Sequence, residues 1–304
     1  MPELPEVETI RQGLSHVLVG TKIVRVEVRL PKMVSIGSSL PSQYRTNRRD
    51  RAQHFVQMLR GRKVQRIERR AKLLLIELSG KWYLVVHLKM SGQLVWRPRS
   101  GRLLVGGHPI PGGTELLPNR YTRVVVTTTH GQLFFNDQRQ FGYMKIIGGV
   151  QLSEWMEAHR FGPEPLDPHF QFSHFRRILR KHQAKRIKPT LLDQTVIAGV
   201  GNIYADETCF DARVRPTRRI RTLTKREQQR LFRGLRRVLR AAVRHRGTTA
   251  RFFRTVTGEK GRMNRFLRVY GRAGRSCRRG DGGVIKKIVL QGRGTHFCPV
   301  CQPR

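Results

Sequence analysis

Apolar residues recur at two different periods in the two halves of the chain. Up to about residue 150 they form short β-branched or aromatic runs, partly alternating with polar positions: TKIVRVEVRL (21–30), KLLLIEL (72–78), WYLVVHLKM (82–90), RVVVTTT (123–129) and GQLFFN (131–136). Turn signals such as SGK (79–81) and THGQ (129–132) separate several of them, which is the pattern of strands. VETIRQGLSHVL (7–18) is the exception, with apolar positions at helical spacing. The N-terminal half therefore reads as an antiparallel β-sandwich or barrel carrying an N-terminal helix. After the Pro-rich FGPEPLDPHF (161–170) the period changes. FSHFRRILRKHQ (172–183), GNIYADETCF (201–210) and TKREQQRLFRGLRRVLRAAVRH (224–245) are helical in pattern, with Thr224 as N-cap of the last. The chain ends in a Gly- and Arg-rich stretch and a hairpin-like run, VIKKIVLQGRGTHF (284–297).

The pattern predicts an α+β protein in four parts. These are a β-sandwich domain (1–150), a hinge (151–169), a helical domain (170–269) and a terminal hairpin (270–304). RFFRTVTGEKGRMNRFLRV (251–269) has a Gly/Lys/Arg middle between apolar ends. A loop beside a ligand and a plain solvated loop share that composition.

Charge narrows the function. Lys and Arg number 61 against 20 Asp and Glu, giving a formal charge of +41 and a pI near 11.7. A folded chain this cationic repels itself unless it meets a polyanion, and nucleic acid is the default partner because phosphate neutralisation releases counterions. An anionic membrane surface is the rival. The sequence shows no long apolar span, signal-peptide core or lipidation motif, so a soluble cytoplasmic protein is expected. Of four cysteines, Cys277, Cys298 and Cys301 fall in the last 28 residues. That clustering suggests metal ligation rather than a disulfide framework. Cys209 reads as a buried helix residue.

The opening MPELPEVETI sets glutamates 3, 6 and 8 around two prolines in an otherwise basic chain. Removal of Met1 would leave Pro2 with a free secondary amine. An α-amine has a pKa of about 8, some two units below lysine, so more of it is neutral and nucleophilic. Condensed with an aldehyde it forms an iminium, an electron sink suited to β-elimination, and Glu3 and Glu6 could move the protons. Taken alone, a Pro-rich terminus is more often inert.

PELPEVET resembles the opening of the formamidopyrimidine-DNA glycosylase family. RRAKLLL, HLKMSGQL, DQRQFG, GPEPL, IKPTLLDQTVIAGVGNIYADE, GTT, VYGRAG and GRGTHFCPVCQ come in the family's order over essentially the whole chain. The resemblance implies a bifunctional DNA glycosylase and abasic-site lyase that excises 8-oxoguanine and formamidopyrimidines from duplex DNA, expected as a monomer. Pro2 matches the nucleophile, Glu3 the acid that opens the sugar, and Glu6 a second proton-handling carboxylate. Lys72 matches the lysine of β-elimination and Arg293 the arginine of the second elimination. Met90, Arg139 and Phe141 match the residues that fill the void left by a flipped nucleotide, with Arg139 facing the orphaned cytosine. Asn202 matches a phosphate-gripping residue of a helix–two-turn–helix, and Tyr121 and Tyr270 are further DNA-binding candidates. Glu207 reads as a buried helix-capping acid. Two alternatives stay open: a non-catalytic damaged-DNA binder on the same scaffold, and an endonuclease VIII-like enzyme for oxidised pyrimidines. Leu4, where the latter group typically has glycine, argues against the second.

The family ends in a zinc finger of the form C-x2-C-x16-C-x2-C, and this chain departs from it. Its spacing is C-x3-D-x16-C-x2-C, with Asp281 at the second cysteine position. One Zn²⁺ held by Cys277, Asp281, Cys298 and Cys301 is expected, with His296 as a substitute ligand and a metal-free hairpin as the alternative.

Overall fold

The computed structural model describes residues 1–38, 48–114, 116–248 and 263–304. Residues 251–262 of the ambiguous basic stretch lie outside them. The described residues fall into two compact units, 1–160 with 246–248, and 161–245 with 263–304.

The first unit begins with α1 (Leu4–Leu18). Glu3 is its N-cap and forms a reciprocal capping box with Glu6, and Pro5 sits in the first turn, where its missing N–H costs nothing. Helix formation thus starts three residues before the apolar period does. Beyond the helix the chain builds two five-stranded sheets. One is ordered β1 (Ile23–Val28), β8 (Thr122–Thr128), β9 (Gly131–Asp137), β6 (Gly92–Pro98), β7 (Leu104–Gly107). The other is ordered β2 (Val34–Ile36), β10 (Tyr143–Gly148), β5 (Trp82–His87), β4 (Leu73–Leu78), β3 (Val64–Arg70). Pairing is antiparallel, as expected, with a short parallel pair between β10 and the three-residue β2.

Leu74, Ile76, Leu84, Val86, Met144 and Ile146 face Leu94, Trp96, Val124, Val126, Leu133 and Phe135 in one continuous core. Each such side chain contributes roughly 1.5–3 kcal/mol on burial. The other face of the first sheet is also covered: Val95, Val105, Val125 and Phe134 pack under Ile110 and Leu117. Burial on both faces explains why β8 and β9 read as nearly unbroken apolar runs. α1 packs on edge strands β3 and β7, and α2 (Arg49–Leu59) on edge strands β1 and β2, so helices cover both open sides. Part of the stretch expected as a hinge is helical. α3 (Gly149–Ala158) buries Leu152 and Trp155.

In the second unit α4 (Phe172–Lys181), α5 (Ile187–Leu192), α6 (Asn202–Asp211) and α7 (Lys225–Arg244) enclose a core of Phe175, Leu191, Val200, Tyr204, Leu231, Leu235 and Leu239. Phe170, from the Pro-rich stretch, joins it. Thr224 caps α7 as expected, in a capping box with Glu227. The hairpin pairs β11 (Lys286–Leu290) with β12 (Arg293–Phe297). Its two-residue turn sets Gln291 and Gly292 at φ +47° and +71°, the conformation that matches strand twist. Among the described residues no helix is long and apolar enough to cross a membrane.

Candidate active site and nucleic-acid interface

The capping box buries the first functional group. Pro2 is buried, and Glu3 and Glu6 are each 2% exposed. Glu6 Oε2 accepts the Glu3 N–H at 2.9 Å, while its Oε1 accepts the Thr248 N–H at 2.7 Å and Oγ1–H at 3.1 Å. Gly247 has to be glycine here: its φ is +76°, and a Cβ would stand 2.6 Å from Glu6 Oε1. Gly247 and Thr248 of the GTT motif therefore clamp Glu6, whose oxygens accept from Glu3 and twice from Thr248. The α-amino group at residue 1 lies within electrostatic reach of Glu3, Glu6, Lys72 and Arg139. Desolvation lowers its pKa below 8; the two glutamates oppose that, and Lys72 and Arg139 add to it. Lys72 is itself 7% exposed, at the two-residue turn between β3 and β4.

Met90, Arg139 and Phe141 sit on two turns tied together by a residue the sequence did not single out. Asp137, fully buried, accepts the Ser91 hydroxyl at 2.5 Å, the Arg139 N–H at 3.2 Å and the Gly142 N–H at 2.7 Å. Ser91 Oγ in turn accepts the Arg139 N–H at 2.9 Å. His87 Nδ1 accepts the Lys89 N–H at 2.9 Å, and desolvation, with Lys89, Lys72 and His159, keeps that ring neutral. The outcome is a fixed platform. Phe141 stays 37% exposed, and the Arg139 guanidinium lies 4.9 Å from its ring centroid. Tyr121 adjoins the same platform, its carbonyl accepting the Asp137 N–H at 2.9 Å.

An unpaired buried donor or acceptor costs roughly 1–3 kcal/mol. Asp137→Ala strands the Ser91 hydroxyl and the Gly142 N–H, while Ser91 Oγ still accepts from Arg139, so it is expected to lower the unfolding free energy by about 2 kcal/mol or more, read as a fall in the urea midpoint. An unchanged midpoint would mean that the clamp holds nothing.

In the second unit the site is organised by α6. Asn202 opens the helix, and its Nδ2 donates to the Gly294 carbonyl at 3.0 Å, next to Arg293. One turn on, Asp206 accepts the His296 N–H at 2.9 Å and faces His296 Nδ1 at 3.1 Å. It also pairs with Lys188 at 2.7 Å; both side chains are at most 1% exposed. Lys188 Nζ donates to Gly294 O and Thr295 Oγ1. Glu207 accepts the N–H groups of Arg268, Val269 and Tyr270 at 2.9–3.1 Å. Burial pushes its pKa up and these amides pull it back. It is a buried structural acid, as read from the sequence, but it holds the 268–270 backbone rather than a helix end. Tyr270 packs edge-on to His296 at 4.9 Å. Asn202, Tyr270 and Arg293 are thus brought to one end of α6. Lys188 and Asp206 fix them there, with no local sequence signal.

Cys277, Asp281, Cys298 and Cys301 offer ligand atoms all within 4.8 Å of one another. Cys277 Sγ donates to Asp281 Oδ2 at 3.2 Å and Cys298 Sγ at 3.4 Å. The inserted residue is absorbed by a turn in which the Gly280 N–H meets the Cys277 carbonyl at 3.2 Å. At Gly283 a Cβ would stand 2.5 Å from Cys298 Sγ, so only glycine lets the knuckle close. Three thiols and a carboxylate converging on one point fit the distances of tetrahedral zinc. His296 is corrected: it belongs to Asp206, outside this cluster, because β12 turns its ring toward α6. Cys209 is fully buried in α6 as expected.

Comparison with known proteins extends the resemblance. The family model "Formamidopyrimidine-DNA glycosylase N-terminal domain" matches residues 1–144, and "Formamidopyrimidine-DNA glycosylase H2TH domain" matches 161–254. "Zinc finger found in FPG and IleRS" matches 282–304, a span that begins just after Asp281. Formamidopyrimidine-DNA glycosylase of Pelotomaculum thermopropionicum is 40% identical over 303 residues, 99% of each chain. That of Herpetosiphon aurantiacus is 39% identical over 305 residues, covering 99% of this chain and all of the relative. A solved complex between Lactococcus lactis Fpg and abasic-site DNA superposes with a TM-score of 0.84 at 33% identity, over 99% of this chain and 100% of the other. A second complex of that protein, with N7-benzyl-Fapy-dG DNA, gives 0.84 and 33% over the full length of both.

Proposed function

Because the chain belongs to the formamidopyrimidine-DNA glycosylase family, we propose that it excises 8-oxoguanine and formamidopyrimidines from duplex DNA and then cuts the strand at the resulting abasic site. The observation that carries this reading is the start of the chain, where Pro2, Glu3 and Glu6 are buried and buried Lys72 and exposed Arg139 lie within electrostatic reach of the chain's first amino group. A binder without chemistry has no need of carboxylates and a lysine buried around its N-terminus.

With Met1 removed, the Pro2 nitrogen attacks C1′ of the damaged nucleotide, and the base departs with the electrons of the glycosidic bond. Glu3 protonates the ring oxygen, which opens the sugar and leaves an iminium between Pro2 and C1′. Loss of a C2′ proton then expels the 3′-phosphate, with Lys72 against the phosphate; a second elimination, assigned to Arg293, expels the 5′-phosphate. Water releases the remnant and restores Pro2. Glu6, held by Glu3 and Thr248, positions the first turn and serves as the second proton-handling carboxylate. Met90 and Phe141 occupy the space of the flipped nucleotide and Arg139 pairs with the widowed cytosine, recovering part of the few kcal/mol lost on unstacking. Asn202, Tyr121 and Tyr270 grip phosphates. Zn²⁺ bound by Cys277, Asp281, Cys298 and Cys301 would supply a cross-link that fixes the hairpin bearing Arg293. Pro2, Glu3 and Lys72 of the first unit carry the excision and first elimination, Arg293 of the second unit the last step, and one copy of the chain suffices.

Borohydride added to the protein and an 8-oxoguanine:cytosine duplex should reduce the iminium to one stable adduct that peptide mapping places on Pro2. An amine reacts when neutral, and an α-amine titrates about two units below lysine, so trapping should persist at neutral pH and fade as the amine protonates at lower pH. No adduct, or an adduct on a lysine, would refute the reading.

A further inference from the structure

α7 carries more charge than its place in the fold requires. Arg226, Arg230, Arg233, Arg237, Arg240 and Arg244 are all exposed and recur at spacings of 4, 3, 4, 3 and 4. At 100° per residue they form one stripe, on the side of the helix away from buried Leu231, Leu235, Val238 and Ala242. At 1.5 Å per residue the stripe is about 27 Å long. Arg237 pairs with Asp211, and Arg230 donates to the Ala212 carbonyl at 2.9 Å. The side chains of Arg226, Arg233, Arg240 and Arg244 make no hydrogen bond or ion pair among the described residues.

A helix that needed only solubility would mix signs at i,i+4. Here neighbours along the stripe are like-charged and destabilise the helix. All six are arginine, whose planar fork matches phosphate oxygens in pairs. The stripe also stands apart from the assigned phosphate grip. Arg230 and Arg237 lie against Ala212 and Asp211, at the C-terminal end of α6, whereas Asn202 opens its N-terminal end, about 15 Å away.

We propose that the outer face of α7 is a second duplex-DNA-binding surface, able to hold an undamaged duplex while a lesion duplex occupies the first site. Such a face would let the protein pass between DNA segments without dissociating fully, and it gives part of the +41 charge a use beyond a single footprint. The inference rests on the proposed function for what fills the first site.

The test saturates the protein with a short unlabelled duplex bearing a stable abasic-site analogue, then titrates in a fluorescein-labelled undamaged 30-bp duplex and measures anisotropy across salt concentrations. The loaded protein should bind the second duplex with a log–log salt slope of about −3 to −4, four contacts at about 0.9 each. In an Arg226→Gln/Arg233→Gln/Arg240→Gln/Arg244→Gln variant, binding of the second duplex should fall at least tenfold at low salt. The slope should collapse toward zero, with single-turnover excision on the short duplex unchanged. Glutamine is nearly as good a helix former as arginine, so the melting temperature should not fall. If the loaded parent protein takes up no second duplex, or the variant binds it equally, the proposal is overturned. The same holds if only double-stranded RNA binds. Failure to bind the lesion duplex at all would count instead against the proposed function.

Discussion

Glu3→Gln is expected to slow release of 8-oxoguanine by about 10²–10⁴-fold in single-turnover assays while leaving affinity for an abasic-analogue duplex within a few-fold of the parent. The amide is nearly isosteric with the acid and cannot deliver a proton. The side chain accepts the Glu6 N–H in the capping box, and an amide oxygen can still accept it, so α1 should begin at the same residue. The substitution therefore separates proton transfer from helix capping. Glu6→Gln is the informative contrast. Glu6 Oε1 and Oε2 together take three donors, so an amide there must turn its NH₂ toward at least one of them. That change should lower thermal stability as well as rate, whereas Glu3→Gln should lower rate alone. If Glu3→Gln releases the base at the parent rate, the acid that opens the sugar is another group.

Local interactions are legible in a sequence and distant ones are not, and this chain shows both. The strands at 23–28, 73–78, 82–87, 122–128 and 131–137 can be read because β-branched runs between turn signals have few other folds available. β3 cannot, because VQRIERR buries only Val64 and Ile67 fully and otherwise looks like a charged loop. α2 escapes the pattern although Ala52, Phe55 and Leu59 share one face, since three buried positions with Val56 and Met58 flanking that face make a weak period. The start of α1 is written as E-x-x-E with an intervening proline, a capping signature that lies ahead of the apolar period. Pro2, Glu3 and Lys72 stand out because motif resemblance assigns roles position by position. Asp137, Lys188 and Asp206 do not. Each acts by holding backbone or side chains far away in sequence: Asp137 holds Ser91, and Lys188 holds Gly294. A buried acid of that kind looks, in one sequence, like any other aspartate.

The largest effect on the second unit should come from the metal. Protein purified without added zinc is expected to carry one Zn²⁺ per chain by elemental analysis, and Cys298→Ser/Cys301→Ser to carry none. Zinc-finger peptides gain roughly 10–16 kcal/mol from their metal at neutral pH. This site should fall below that range, because Asp281 offers a hard oxygen where the family has a soft thiolate. It should accordingly lose zinc to a chelator that spares all-cysteine fingers, and Asp281→Ala should lose it sooner. The consequences of demetallation depend on which parts of the hairpin have other anchors. β12 is pinned to α6 through Asn202 and Asp206 and to α5 through Lys188, none of which needs the metal. The knuckles at 277–283 and 298–301 are held by Arg279, which donates to the Phe210 and Asp211 carbonyls, and by Gln302, which links Cys298 to Val214, but their closure on each other depends on Asp281, Gly283 and the three sulfurs. Demetallation should therefore loosen the knuckles first, expose Cys277 and Cys298 to thiol reagents, and weaken DNA binding and strand cleavage by partial rather than total loss of Arg293. Melting of the sandwich should be unaffected. A zinc-free parent protein whose cysteines stay unreactive and whose strand cleavage is complete would show that the thiol–carboxylate cluster closes without a metal.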